Sequence, residues 1–150
     1  GDISLLNAGG SNMVVQSTSG DVDWHGAGSE NTQITTTSGD VDLMEIDARQ
    51  LKIKTISGET EIRTSQFDNL NISSTSGDVE GSFFAQNSYV QTVSGDIEIA
   101  LDRRGKQLCA RAKTVSGESN VYGNNRCDAP DAEHYLTAYF STVSGDIEIR

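Results

Sequence analysis

A Ser-Gly pair followed by an acidic residue recurs seven times: Ser19-Gly20-Asp21, Ser38-Gly39-Asp40, Ser57-Gly58-Glu59, Ser76-Gly77-Asp78, Ser94-Gly95-Asp96, Ser116-Gly117-Glu118 and Ser144-Gly145-Asp146. The chain opens on Gly1-Asp2-Ile3, an eighth copy cut through its middle. Successive glycines lie 19, 19, 19, 19, 18, 22 and 28 residues apart. A fixed period of this size limits the fold to units that each present the same surfaces to their neighbours.

Aligned on the serine, apolar and polar positions alternate. The slot four residues before it holds Val15, Ile34, Ile53, Ile72, Val90, Ala112 and Phe140, and the slot six before holds Met13, Thr32, Leu51, Leu70, Ser88, Ala110 and Ala138. The slot at plus three holds Val22, Val41, Thr60, Val79, Ile97, Ser119 and Ile147, and plus five holds Trp24, Leu43, Ile62, Gly81, Ile99, Val121 and Ile149. This is the two-residue period of strands, and no helix is predicted. The two alternations are out of phase. Counted from the first strand, minus two faces inward; counted back from the second, minus one does. The chain must bend near the Ser-Gly, where glycine tolerates the angles of a sharp corner.

Two short strands and a corner every ~19 residues predict an all-β fold: a single β-solenoid (β-helix) of about seven coils over residues 1–150, whose hand the repeat leaves open. Coils stack ~4.8 Å apart, the strand spacing within a sheet. Asn12, Asn31, Asn69 and Asn87, with Gln50, share the minus-seven slot and predict an amide ladder. A sandwich of eight to ten strands is the alternative, but it needs no fixed register. Only 35% of residues are apolar, mean hydropathy is −0.43 and net charge is −11. Such figures point to disorder in a chain without a repeat; here stacking supplies a continuous narrow core. No run of 18 apolar residues exists, so no membrane-spanning segment is predicted. The chain begins and ends in mid-repeat, which reads as a fragment of a longer chain.

The stretches Thr92-Val93-Ser94-Gly95-Asp96-Ile97-Glu98-Ile99 and Thr142 to Ile149 carry a T-x-S-G-D-φ-x-φ pattern. The pattern resembles an uncharacterised bacterial β-solenoid family, a domain of unknown function that carries an adhesin label. The resemblance covers almost the whole chain. It implies an extracytoplasmic part of an envelope protein, in the periplasm or at the cell surface, often beside a membrane anchor. It implies no catalytic residues.

The acids are ordered. Plus two holds Asp2, Asp21, Asp40, Glu59, Asp78, Asp96, Glu118 and Asp146, and plus four holds Asp23, Asp42, Glu61, Glu80, Glu98 and Glu148. Stacked outward, they form two acidic stripes. A cation-binding ladder for Ca²⁺ or a cationic peptide is one reading, with Asp21, Asp23, Asp40, Asp42, Asp78 and Asp96 as its residues. A solvated face that keeps the rod soluble is the other. Charge is also polarised along the chain: residues 1–48 contain no Lys or Arg, whereas Arg103, Arg104, Lys106, Arg111, Lys113 and Arg126 cluster late. End-to-end or edge self-association, binding of another protein or an anionic envelope polymer, and local balancing of acids are all compatible with that. The net charge argues against nucleic acid along most of the rod.

Insertions at 102–107 and 122–134 break the period. Both follow a second strand, so both are expected to leave the rod at the same corner, side by side. Arg103, Arg104, Lys106, Arg126 and His134 make these the candidate binding loops. Cys109 and Cys127 are 18 residues apart, about one coil, so they are expected to stack and form a disulfide, with free thiols or a metal site with His134 as rivals. Two Cys and one His fall short of a closed zinc site, and no cofactor or metal is predicted. Tyr89, Arg111 and Tyr139 share minus five on successive coils, with Arg111 expected between the rings. That stack reads as surface packing or as a carbohydrate surface. Trp24 is expected in the core.

Acid–base catalysis needs carboxylates in unlike environments, and these are repeated and equivalent. The serine of Ser-Gly-Asp is a turn residue without a nucleophile elbow, and His25 and His134 read as surface loop residues. The expectation is a non-catalytic extracytoplasmic scaffold or adhesin-like interaction module of a bacterial envelope protein, not an enzyme. The alternatives are a ligand-binding or envelope-stress sensor module for a cationic peptide, divalent metal or glycan, and then a polysaccharide-active enzyme.

Overall fold

A computed structural model describes residues 2–7, 9–26, 28–104, 106–122 and 135–150, with the side chain of Tyr135 left aside. The described residues form strands and corners with no helix: β1 (Ile3–Leu6), β2 (Gly10–Ser19), β3 (Val22–His25), β4 (Ser29–Ser38), β5 (Val41–Met44), β6 (Asp47–Ser57), β7 (Thr60–Ser76), β8 (Val79–Ser94), β9 (Ile97–Leu101), β10 (Gln107–Ser116), β11 (Ser119–Val121), β12 (Tyr135–Ser144) and β13 (Ile147–Ile149). All pairings are parallel and in repeat register, for example Ile34↔Ile53 and Ile53↔Ile72. The fold is a β-solenoid with ~19 residues per turn.

Each turn has two corners. At the first, the Ser-Gly glycines from Gly39 onward take φ between 145° and 158°, as at Gly58 and Gly39. The second corner, seven residues after the serine, uses a left-handed residue: Asn7, Gly26, Glu45 and Thr64 have φ of 52°, 83°, 56° and 48°. The turn from Ser76 to Ser94 is one residue shorter, and there β8 runs through the corner as a continuous strand. The conflict between minus two and minus one is settled in favour of minus two. Thr36, Thr55, Ser74, Thr92 and Thr142 are buried there, while Ile56, Val93, Val143 and Val115 at minus one are 49–74% exposed.

The core is the stack of inward slots. Ile34, Ile53, Ile62, Ile72, Ile97 and Ile149 are essentially fully buried, as is Trp24. Gly81 stands where its neighbours carry Ile62 and Ile99, and the vacated space takes the Phe83 ring, which meets Phe67 edge-on at 5.9 Å.

The stacking order departs from chain order. The coils with corners at Ser19, Ser38, Ser57, Ser76 and Ser94 follow one another, so the regular solenoid has five turns rather than seven. Then β8 and β9 pair with β12 and β13, and β10 and β11 pair on the far side of those. The last coil in the chain is thus inserted between the fifth and the one ending at Ser116. Burial explains the order. The inserted coil carries Leu136, Phe140, Ile147 and Ile149, all buried; the coil outside it matches Leu136 with the buried Leu108, but sets only Ala112, Ser119 and Val121, partly or fully exposed, against the other three. Placing the larger apolar set between two layers removes more of it from water, at roughly 25 cal/mol per Å². The two long spacings in the sequence supply the chain for stepping out and back.

Candidate functional site

The rod presents two chemically distinct faces, separated by the corners. On the first, the plus-two acids have a structural role that the sequence reading did not identify. The carboxylate of Asp2 accepts the backbone N–H of Asp21 at 3.0 Å, Asp21 that of Asp40 at 3.0 Å, Asp40 that of Glu59 at 2.9 Å, Asp78 that of Asp96 at 2.9 Å, Asp96 that of Asp146 at 2.8 Å and Asp146 that of Glu118 at 2.8 Å. Each aspartate staples the next corner. The longer Glu59 makes no such bond to Asp78 among the described residues. The signal was in the sequence: Asp outnumbers Glu at plus two, whereas plus four mixes both.

Plus four is a solvated but crowded stripe: Asp23, Asp42, Glu61, Glu80, Glu98 and Glu148 in register. Desolvation first, then the charges of Glu61 and Asp23, push the Asp42 carboxyl up to about 6. Glu80 is raised too, by desolvation and then by Glu98, Glu59, Glu61 and Asp78. Arg63 pairs with Glu61, and Arg150 bridges Glu98 at 3.2 Å and Glu148 at 2.8 Å. His25 meets Glu45 at 3.3 Å. Among the described residues no group of three or more Asp, Glu, His or Cys is arranged to hold a metal ion. Of the residues expected in a cation ladder, Asp21, Asp40, Asp78 and Asp96 each accept a backbone N–H, and Asp23 and Asp42 stand on the open stripe.

The Asp42 shift makes a prediction. A carboxyl whose folded pKa is raised disfavours the folded state above that pKa, and the penalty fades as pH falls from about 6 toward the unfolded value near 4. Asp42→Asn should therefore stabilise the protein at pH 7 by on the order of 1 kcal/mol, after discounting for solvent screening. The gain should shrink with added salt and vanish at pH 4 in chemical denaturation.

The second face comprises the outward slots of β2, β4, β6, the later part of β7, β8, β12 and β10. Its minus-seven ladder runs Asn12, Asn31, Gln50, Asn69, Asn87, with Asn31 Nδ2 donating to Asn12 Oδ1 at 3.2 Å and Asn87 Nδ2 to Asn69 Oδ1 at 3.1 Å. The minus-five ladder runs Val14, Gln33, Lys52, Asn71, Tyr89, Tyr139, Arg111. Tyr89 and Tyr139 stack directly, centroids 5.4 Å apart and planes within 2°, and the Arg111 guanidinium lies 5.6 Å from the Tyr139 centroid. Arg111 thus caps the pair instead of separating it, because the inserted coil puts Tyr139 next to Tyr89. Minus three carries Lys54 and Lys113. The slots from minus seven to minus one hold no acid. This sorting is present in the repeat itself, where the amides, tyrosines and cations fall in slots that the acids avoid.

The first insertion folds back on the rod. Arg104 lies over the Phe84 ring at 4.1 Å and donates to Gln66 Oε1 at 2.8 Å; Lys106 Nζ donates to Gln86 Oε1 at 2.7 Å. Arg103 donates to the Tyr122 carbonyl at 2.6 Å, which brings the starts of both insertions together as expected. Arg126, Cys127 and His134 lie outside the described residues. Cys109 is buried and is not a free thiol. The residue in register with it in the inserted coil is Thr137; the expected stacking of Cys127 near Cys109 falls outside the described residues.

No helix among the described residues is long and apolar enough to cross a membrane. Neither a curated protein nor a solved structure matches the chain. A family model described as Toastrack DUF4097, a domain of unknown function, matches residues 1–150, and the parallel coils agree with it: the chain belongs to the Toastrack DUF4097 family.

Proposed function

We propose that the protein is a non-catalytic, extracytoplasmic interaction module: a rigid rod whose two faces are sorted by chemistry for adhesin-like contacts within a bacterial envelope protein. The sorting carries the reading. Acids fill plus two and plus four, whereas amides, tyrosines and cations, the latter paired with no carboxylate among the described residues, occupy minus seven to minus three. The plus-two aspartates are committed to backbone N–H groups, so they are corner staples rather than an acid–base pair. Binding of envelope polymers or proteins with no turnover on a polysaccharide panel is the expected outcome; hydrolysis would overturn it.

The extracytoplasmic part rests on a Cys109–Cys127 disulfide, proposed from the buried, non-free Cys109 and the presence of only two cysteines. It should stabilise by roughly 3 kcal/mol for a loop of this size and requires an oxidising compartment. Native protein should resist alkylation, and reduction should lower the melting temperature. Two alkylatable thiols without reductant would sink the idea. A second reading, a sensor for cationic peptides or divalent metal, is favoured by the crowded plus-four stripe. A rise in melting temperature with Ca²⁺ or a short polylysine, abolished by Asp42→Asn, would support it.

A further inference from the structure

We propose that the amide and tyrosine face binds a linear acidic polysaccharide, with a sugar ring seated at the step between Asn71 and Tyr89 and its acid groups held by Lys52 and Lys54 at one end and by Arg111 and Lys113 at the other. The proposal rests on the interaction-module reading and names the ligand class for one of its faces.

Charge complementarity selects the occupant. The four cations are exposed, and none of them pairs with a carboxylate among the described residues. The stacking order places Lys52 and Lys54 four layers from Arg111 and Lys113, ~19 Å at the strand spacing. The layers between offer only amides, hydroxyls and phenols in the same slots. Cations at two ends of a neutral stretch match a chain whose acid groups are separated by uncharged, hydroxyl-rich rings. They match a nucleic acid poorly, since that carries a charge at every phosphate with no uncharged unit between.

The tyrosine stack supplies the seat. Tyr139 covers one face of Tyr89 and Arg111 closes the far side of Tyr139, so the free face of the stack looks toward Asn71. Asn71 is short, and two shallow grooves of about 490 and 550 Å³ meet at Asn71 and Tyr89. A sugar ring entering there stacks its C–H face on the open phenol. The amide ladder alongside offers donors and acceptors to hydroxyls at every ~4.8 Å step. This differs from a flat aromatic platform: the rings stand across the rod and present one end of a stack.

The test is affinity electrophoresis and calorimetry at low salt with hyaluronan, a linear chain in which a uronate alternates with an uncharged sugar, with dextran as the neutral chain and an oligothymidylate as a sugar-phosphate polyanion. Wild type should bind hyaluronan, ignore dextran, bind oligothymidylate far more weakly, and lose affinity as salt is added. Tyr89→Ala and the double variant Lys52→Gln/Lys54→Gln change exposed residues, so both should keep the strand circular dichroism of wild type. Each should weaken hyaluronan binding about tenfold or more. No hyaluronan binding by folded wild type, equal binding of oligothymidylate, or affinity unmoved in both variants would overturn the site. Binding lost only in Asp23→Asn/Asp42→Asn would also overturn it, while leaving the module reading intact on the other face.

Discussion

Alanine at Gly77 is expected to lower stability by about 4 kcal/mol, from the backbone region open essentially to glycine and from overpacking against a rigid neighbour. A Cβ at Gly77 would stand 2.1 Å from the carbonyl oxygen of Gly58, and φ there is 154°. The clash is with backbone that the next coil holds in place, so neither partner can turn aside. The same approach repeats up the rod, with Gly58 against Gly39 and Gly95 against Gly77 at 2.2 Å each. The glycine of Ser-Gly-Asp is thus required for coil-to-coil contact as well as for the corner. Gly10 is the control: nothing lies within 4 Å of its Cβ position, so Gly10→Ala should change stability little. Urea denaturation of the two variants reads the contrast, and equal small effects would show that the corners do not stack this closely.

Phe140→Ala should cost about 4 kcal/mol, the usual loss for truncating a buried phenylalanine without collapse of the cavity. Phe140 is 1% exposed and lies in register between Val90 and Ala112. Those small neighbours cannot fill the void. Its burial depends on the inserted coil. If the coils stacked in chain order, Phe140 would sit on the end layer with one side in water, and the loss would be about half as large. Cross-linking checks the order directly. Cysteines replacing Ser94 and Ser144, which pair in adjacent strands, should oxidise to a disulfide. Cysteines replacing Ser94 and Ser116 are two layers apart, ~10 Å, beyond the reach of a disulfide, and should not. The opposite pattern would restore chain order.

Much of the fold was legible because it is local and repeated. The period, the inward slots, the amide ladder and the buried Trp24 all follow from alternation that one coil displays and six others copy. The minus-one and minus-two conflict was visible too, though not its resolution: Thr36 and Thr92 are buried while Ile56 and Val93 face water, against their relative polarity. That choice is made by where the corner glycine turns the chain. The second corner went unread because Asn7, Gly26, Glu45 and Thr64 share a conformation and no side chain chemistry. The tyrosine stack was half legible. Its residues share a slot, but which of them touch depends on which coils are neighbours.

The sequence by itself determined a parallel β-solenoid with outward stripes of acid and inward stripes of apolar residues, because a ~19-residue repeat forces every copy into the same register. Only the tertiary structure decided the order of the last two coils. Both carry the same corner motif and either could pair with the fifth, so register cannot distinguish them. The difference lies in the apolar volume each offers to two neighbours rather than one, and that is a property of the assembled stack. From that order follow the Tyr89–Tyr139 contact, the Arg111 cap and the spacing of the cations along the face.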